Sequence, residues 1–271
     1  MHDVTFIPSK CSILKNFVKE KLRAGKPSIG TWVEMNNPDV SEQLSVLGFD
    51  WLVFDVEHGL FTMPDVQRMI QSMSHSLNCL PFVRVPINEP VYFKWALDMG
   101  ACGIVVPWVN SKEDATKAVR ASKYPPEGIR GCGPRRASRY YSEISDYVKT
   151  ANEETLVVVM IESQQALDNI DEILSVKGVD AAFIGPDDLS LNLGIFQEKQ
   201  HSKFKSSLAS VVDACRKHGV ASGMHCSDKN INDAISQGFQ FCALNDDDTF
   251  LTMGAKACLQ GVRGWVHGDS R

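Results

Sequence analysis

Eight short, nearly unbroken apolar blocks, each followed by an amphipathic stretch, set the strongest limit on what this chain can fold into. They occupy 29–33, 51–56, 82–85, 103–106, 156–161, 181–184, 221–224 and 239–244. Strands with one wet face alternate apolar and polar side chains. These blocks do not, and continuous runs of this length read as strands of a parallel sheet covered on both faces. The intervening stretches have helical spacing. Val66, Met69, Ile70, Met73 and Leu77 share one face of 63–77, and Leu208, Val211, Val212 and Cys215 one face of 204–218. Pro38 and Pro64 suit first-turn positions, and Ser111 precedes Glu113 and Asp114, acids that favour a positive helix end. Eight strand–helix units in 271 residues predict an α/β chain closed into a (β/α)8 TIM barrel, a single domain over 1–271. A doubly wound open sheet is the alternative. No linker, repeat or low-complexity tract divides the chain.

Composition narrows the function classes. A hydrophobic share of 44% supports a large core, and a net charge of −5 with scattered Lys and Arg argues against nucleic acid as a partner. No apolar run approaches the ~18 residues of a membrane span. The first ten residues lack the apolar stretch of a secretory signal. The basic segment 10–26 resembles a transit peptide, but Glu20 and the spacing of Ile13, Leu14, Phe17, Val18 and Leu22 fit a first helix better. Eight cysteines, with no C-x-x-C pair and mostly apolar neighbours, suit a reducing interior, so the expected location is cytoplasmic.

Barrel chemistry sits at the C-terminal strand ends. The second block closes in Asp55-Val56-Glu57-His58-Gly59, the third carries Arg84, and the fifth ends in Ile161-Glu162. The sixth runs into Gly185-Pro186-Asp187-Asp188, and the seventh ends in His225-Cys226-Ser227-Asp228. A carboxylate directly after a buried strand costs several kcal/mol unless a cation or strong donors compensate it. Arg84 offsets part of that charge, and a divalent cation would offset more; oxygen ligands favour Mg2+ or Mn2+. Alternatively these acids are helix N-caps, the favoured reading for Asp187 and Asp228 but a poor one for Glu162. His58 is either a structural residue or a general base, with Asp55 and Glu57 holding its tautomer. His225 is a weaker candidate that as a ligand would shift the metal towards zinc. The long connection 124–155, rich in Gly, Pro and Arg, is expected to serve the site. In it Gly128, Gly131 and Gly133 allow close approach, Arg136 would bind an acidic or polyhydroxylated substrate tail, and Arg135 would face solvent or a neighbouring subunit.

From about Lys21 to Gly254 the chain resembles the HpcH/HpaI aldolase family. The segments that carry the likeness are Gly48-Phe49-Asp50-Trp51-Leu52, Glu57-His58-Gly59, Val83-Arg84-Val85-Pro86 and Leu97-Asp98-Met99-Gly100-Ala101. They continue with Tyr124-Pro125-Pro126 to Gly131, Arg136-Ala137-Ser138, Ile161-Glu162, and Ile184-Gly185-Pro186 through Asp188-Leu189-Ser190. The resemblance implies a class II aldolase that cleaves or forms a 4-hydroxy-2-oxo acid, giving pyruvate and an aldehyde through a metal-stabilised enolate. By it Glu162 and Asp188 are metal ligands, and His58 is the base whose basicity Asp98 raises. Arg84 stabilises the enolate, and Met160 and Asp187 stand at substrate-binding positions. It implies Mg2+ or Mn2+, with Co2+ or Zn2+ as alternatives, and a homo-oligomer, hexamer or trimer. No lysine closes a strand where a Schiff base would need it.

Two positions depart from the family pattern. Met160 replaces a common Gln and cannot donate a hydrogen bond, and Asp187 replaces a small residue, tolerable if its side chain turns away. Two other functions compete. A decarboxylase or acyl-CoA lyase is one, although no basic cluster for a nucleotide is evident. A non-catalytic ligand-binding barrel is the other, which Met160 favours and the His58–Asp98 pair opposes.

Overall fold

In the computed structural model, which describes residues 15–76 and 78–262, the apolar blocks become eight parallel strands hydrogen-bonded in sequence order. They are β1 (Ser28–Val33), β2 (Trp51–Asp55), β3 (Leu80–Arg84), β4 (Gly103–Val106), β5 (Leu156–Met160), β6 (Ala181–Ile184), β7 (Ala221–Cys226) and β8 (Phe241–Asp246). The pairing of β8 with β1, Ser28 opposite Phe241 and Ile29 opposite Cys242, closes the sheet and excludes the open alternative.

Inside the barrel, aromatic rings fill the space. Trp51 stacks on Phe241 with ring centroids 4.1 Å apart, and Trp32 on Phe183 at 4.9 Å. Fully burying a side chain of this size contributes roughly 2–3 kcal/mol. The filling leaves no room elsewhere in its layer: a Cβ on Gly30 would lie 2.0 Å from the Trp51 ring.

The first helix, α1 (Phe17–Arg23), plugs the N-terminal mouth with Val18 and Leu22. Asn16 caps it and donates to the Cys102 carbonyl at 3.0 Å, and buried Lys19 pairs with Asp180 at 3.0 Å. The segment read as a possible transit peptide is therefore part of the fold from Phe17 onward, while Ile13, Leu14 and Cys11 lie outside the described residues.

Around the strands run α2 (Pro38–Ser45), α3 (Met63–Ser72), α4 (Pro90–Asp98), α5 (Lys112–Ser122), α6 (Ile144–Glu154), α7 (Gln164–Asp168) and α8 (Ile170–Leu174). They are followed by α9 (Pro186–Asn192), α10 (Ser202–His218), α11 (Ile231–Gln237) and α12 (Asp247–Gln260). Val66, Met69 and Ile70 of α3 face the barrel as their spacing predicts; a 3-10 turn over Met73–His75 ends the helix, and Leu77 lies outside the described residues. The connection 124–155 runs differently from expectation. α5 stands between β4 and this segment, so the segment leaves a helix C-terminus and covers the N-terminal end of the barrel. It is held there by Arg130, buried between the rings of Tyr124 and Tyr147 and donating to Asp98 at 2.8 Å.

The last helix behaves unlike the others. Only its start packs on the barrel, through Phe250 against Phe49, and residues 251–262 are all exposed, Leu251, Met253 and Leu259 among them. No helix among the described residues is long and apolar enough to cross a membrane. All seven described cysteines are free thiols.

Candidate active site

A cavity of about 190 Å³ opens at the C-terminal strand ends, and His58, Arg84, Glu162, Asp187, Asp188 and His225, all singled out in the sequence, line it. Arg84 is the last residue of β3 and lies directly opposite Asp55, the last of β2. Both are buried. Arg84 Nε donates to Asp55 Oδ1 at 2.8 Å, Nη2 to Oδ2, and Nη1 pairs with Glu57 Oε2 at 3.0 Å. The backbone N–H groups of Glu57 and His58 also donate to Asp55 Oδ1. Asp55 and Glu57 thus grip the arginine rather than the imidazole they were expected to orient. A bidentate guanidinium contact outbids a single imidazole bond. His58 stands exposed on the following turn, lines the cavity, and its side chain makes no hydrogen bond among the described residues.

Glu162 follows β5 directly and is 2% exposed. Its Oε2 accepts the backbone N–H of Trp108 at 3.1 Å, while Oε1 has no hydrogen-bond partner among the described residues. Trp108 adopts φ +52° to present that N–H. Burial pushes the Glu162 carboxyl up to about 7, with the Trp108 N–H opposing and Asp188 and Glu57 adding to the rise. Oε1 lies against Gly185, where a Cβ would come within 2.7 Å of it. Only glycine leaves this space open. Asp188, half-buried in the first turn of α9, completes the carboxylate pair.

Asp187 lies beside it, but its exposed carboxylate turns to Lys199 Nζ at 3.0 Å. Neither Asp187 nor Asp228 caps a helix: Gly185 and Asn230 hold those positions. Met160 lines the cavity on the same face of β5 as Glu162, as a period of two requires.

Two expected members are not brought to this site within one chain. Asp98 ends α4 towards the N-terminal end of the barrel, paired with Arg130, so it does not reach His58. Arg136 donates to the Met99 carbonyl at 2.8 Å and shares with Asp98 an outer groove between α3 and α4. Asp98 sits there because α4 ends at that end of the barrel, and Arg136 because the 124–155 segment covers it.

Conversely, Trp32, Glu34, Phe183 and Asp246 line the cavity although the sequence reading passed them over. The rule that found Glu162 applies equally to Glu34, directly after β1, and to Asp246, at the end of β8. Trp108 acts through its backbone, for which no residue-type signal exists. Among the described residues no three His, Cys, Asp or Glu side chains gather with metal-ligand spacing, so the zinc-type set considered for His225 is not formed. The two acids instead suit a cation whose remaining positions go to water and substrate.

A closed barrel with an arginine and paired carboxylates at the C-terminal rim defines an enzyme of the α/β-barrel class. The model of the HpcH/HpaI aldolase/citrate lyase family matches residues 28–252. A 4-hydroxy-2-oxo-heptane-1,7-dioate aldolase of Klebsiella pneumoniae is 38% identical over 247 residues, covering 90% of this chain and 92% of that protein. The Escherichia coli enzyme of the same name is 36% identical, with 90% and 94% covered. Among solved structures, a family protein from Burkholderia cenocepacia superposes with TM-score 0.88 at 31% identity, over 92% of this chain and all (100%) of the other. Macrophomate synthase gives 0.80 at 25% identity, over 91% and 89%. The chain belongs to the HpcH/HpaI aldolase/citrate lyase family, and it is a carbon–carbon lyase.

Proposed function

We propose that the chain cleaves a 4-hydroxy-2-oxo acid to pyruvate and an aldehyde, or joins the two, with a divalent cation at Glu162 and Asp188. The observation that carries this reading is the buried Glu162 carboxylate, one oxygen unpaired, beside a second acid and in the same cavity as Arg84. An unpartnered buried anion costs several kcal/mol, which a bound cation offsets. Two carboxylates without a nitrogen or sulfur ligand favour Mg2+ or Mn2+. When bound, such a cation acts as a Lewis acid on the substrate's carbonyl.

The chain's own groups supply the rest. Arg84, fixed by Asp55 and Glu57, stabilises the negative charge that builds on the 2-oxo oxygen as the C3–C4 bond breaks. His58, at the rim, takes the proton from the 4-hydroxyl, whose oxygen becomes the aldehyde carbonyl. Met160 fills its part of the wall without donating a hydrogen bond, and the backbone at Asp187 is left to meet the substrate carboxylate while the side chain pairs with Lys199.

Assay of pyruvate release from a panel of 4-hydroxy-2-oxo acids tests this reading. Release should require Mg2+ or Mn2+, vanish with EDTA and return on adding metal; no release from any member would overturn the proposal. His58→Ala should lower kcat by about 10²–10⁴ while substrate affinity changes far less. A kcat within a few-fold of the native value would make His58 structural.

The working form is a homo-oligomer, a reading supported by the exposed apolar residues Leu251, Met253 and Leu259 of α12 and by Trp95 on α4. In such an assembly Asp98 and Arg136 would serve a neighbouring copy's site rather than their own. Truncation before Leu251 should lower the number of copies per particle in light scattering; an unchanged number would remove α12 from the interface.

A further inference from the structure

One wall of the cavity takes no part in the chemistry above: Glu34 after β1, His225 in β7 and Asp246 at the end of β8. We propose that this wall selects the aldehyde half of the substrate, accepting a neutral hydroxylated aldehyde and rejecting one that ends in a carboxylate. The inference rests on the aldolase reading and specifies its substrate class.

Asp246 and His225 also have structural duties, and the Glu34 side chain has none among the described residues. Asp246 Oδ1 caps α12 by accepting the Thr249 N–H at 2.7 Å, while Oδ2 lies 4.0 Å from His225 Nε2. The His225 ring packs edge-on against Trp32 at 6.1 Å. Burial lowers its pKa, with Asp246 opposing, so the imidazole is neutral at neutral pH and offers one donor and one acceptor. The Glu34 carboxylate is half-buried and makes no hydrogen bond among the described residues. Burial pushes its pKa up to about 6, with Asp55 and Asp246 adding to the rise and Arg84 opposing.

The wall is therefore two carboxyl acceptors and a neutral imidazole. A hydroxyl donates to the first and accepts from the second. A carboxylate tail can do neither to Glu34 or Asp246 and meets like charge. The cations nearby are already engaged. Lys199 pairs with Asp187, and Arg84 is held by Asp55 and Glu57. The curated relatives are named for a heptane-1,7-dioate, which has a carboxylate at its far end. This wall argues for a different aldehyde in this chain.

The test is aldol addition of pyruvate, with Mn2+ present, to glyceraldehyde and to succinic semialdehyde. The native protein should favour glyceraldehyde in kcat/KM by at least about tenfold. Glu34→Gln and Asp246→Asn should each shrink that ratio several-fold by admitting the semialdehyde; Asn still caps α12. His225→Leu should shrink it by weakening glyceraldehyde. A native ratio at or below one overturns the inference, as does a ratio that none of the three variants moves. Exchange of the pyruvate methyl protons, followed by NMR in the native protein, separates the two readings. Exchange with an inverted ratio sinks the wall alone, and absence of exchange sinks the aldolase reading with it.

Discussion

Replacing Glu162 with Gln is expected to abolish cleavage and, with EDTA present, to raise the melting temperature at pH 8. Burial holds the Glu162 carboxyl near 7 in the native state, against 4.5 in the unfolded chain. Between those values the native protein retains a proton that the unfolded chain has released. Its contribution is therefore fully present below 4.5 and is lost as pH rises to 7, by about 3 kcal/mol. Gln has the same shape, keeps an oxygen for the Trp108 N–H and carries no charge. In EDTA the variant should melt several degrees above the native protein at pH 8, with the gap closing towards pH 5. Added Mn2+ should stabilise the native protein and leave the variant unmoved. Asp188→Asn should likewise lose the cation. Calorimetric titration with Mn2+ is the direct measurement, and unchanged affinity in both variants would remove these residues from the metal site.

Arg84→Met should be the most destabilising single change at the site. Asp55 is fully buried, and without the guanidinium it keeps only the N–H groups of Glu57 and His58. Stranding a buried charge costs about 3–5 kcal/mol, which a urea titration will register as a fall in midpoint at constant slope. The loss of kcat should be about 10²–10³ beyond any loss of folded protein. Arg84→Lys keeps the charge but not the two-pronged grip, so it should recover stability better than activity. The double change Arg84→Met with Asp55→Asn separates the two roles. Stability should return because no carboxylate is left stranded, and activity should not. If the double variant is as unstable as Arg84→Met alone, the cost lies in packing and the charge argument fails.

The architecture and the candidate residues at the strand ends were legible in the sequence. Unbroken apolar blocks require a sheet covered on both faces, and eight of them in a chain this long leave few ways to close other than a barrel. Once strand ends are placed, Arg84 and Glu162 stand out as candidates, because a charge next to a buried strand must be compensated; Asp188 is identified as a metal ligand only through the family resemblance. Tertiary structure alone decided which charges pair and which segments reach the rim. Asp55 could have served His58 or Arg84; the register that sets it opposite Arg84 chose the latter. The 124–155 segment has the composition of a substrate loop, yet α5 carries the chain back before it begins, so Arg136 lies at the opposite end, where the end of α4 has already placed Asp98. Glu34 and Asp246 join the site only because β8 closes onto β1. Periodicity is a local property, whereas pairing across the barrel depends on contacts far apart in the chain, and composition carries no record of them.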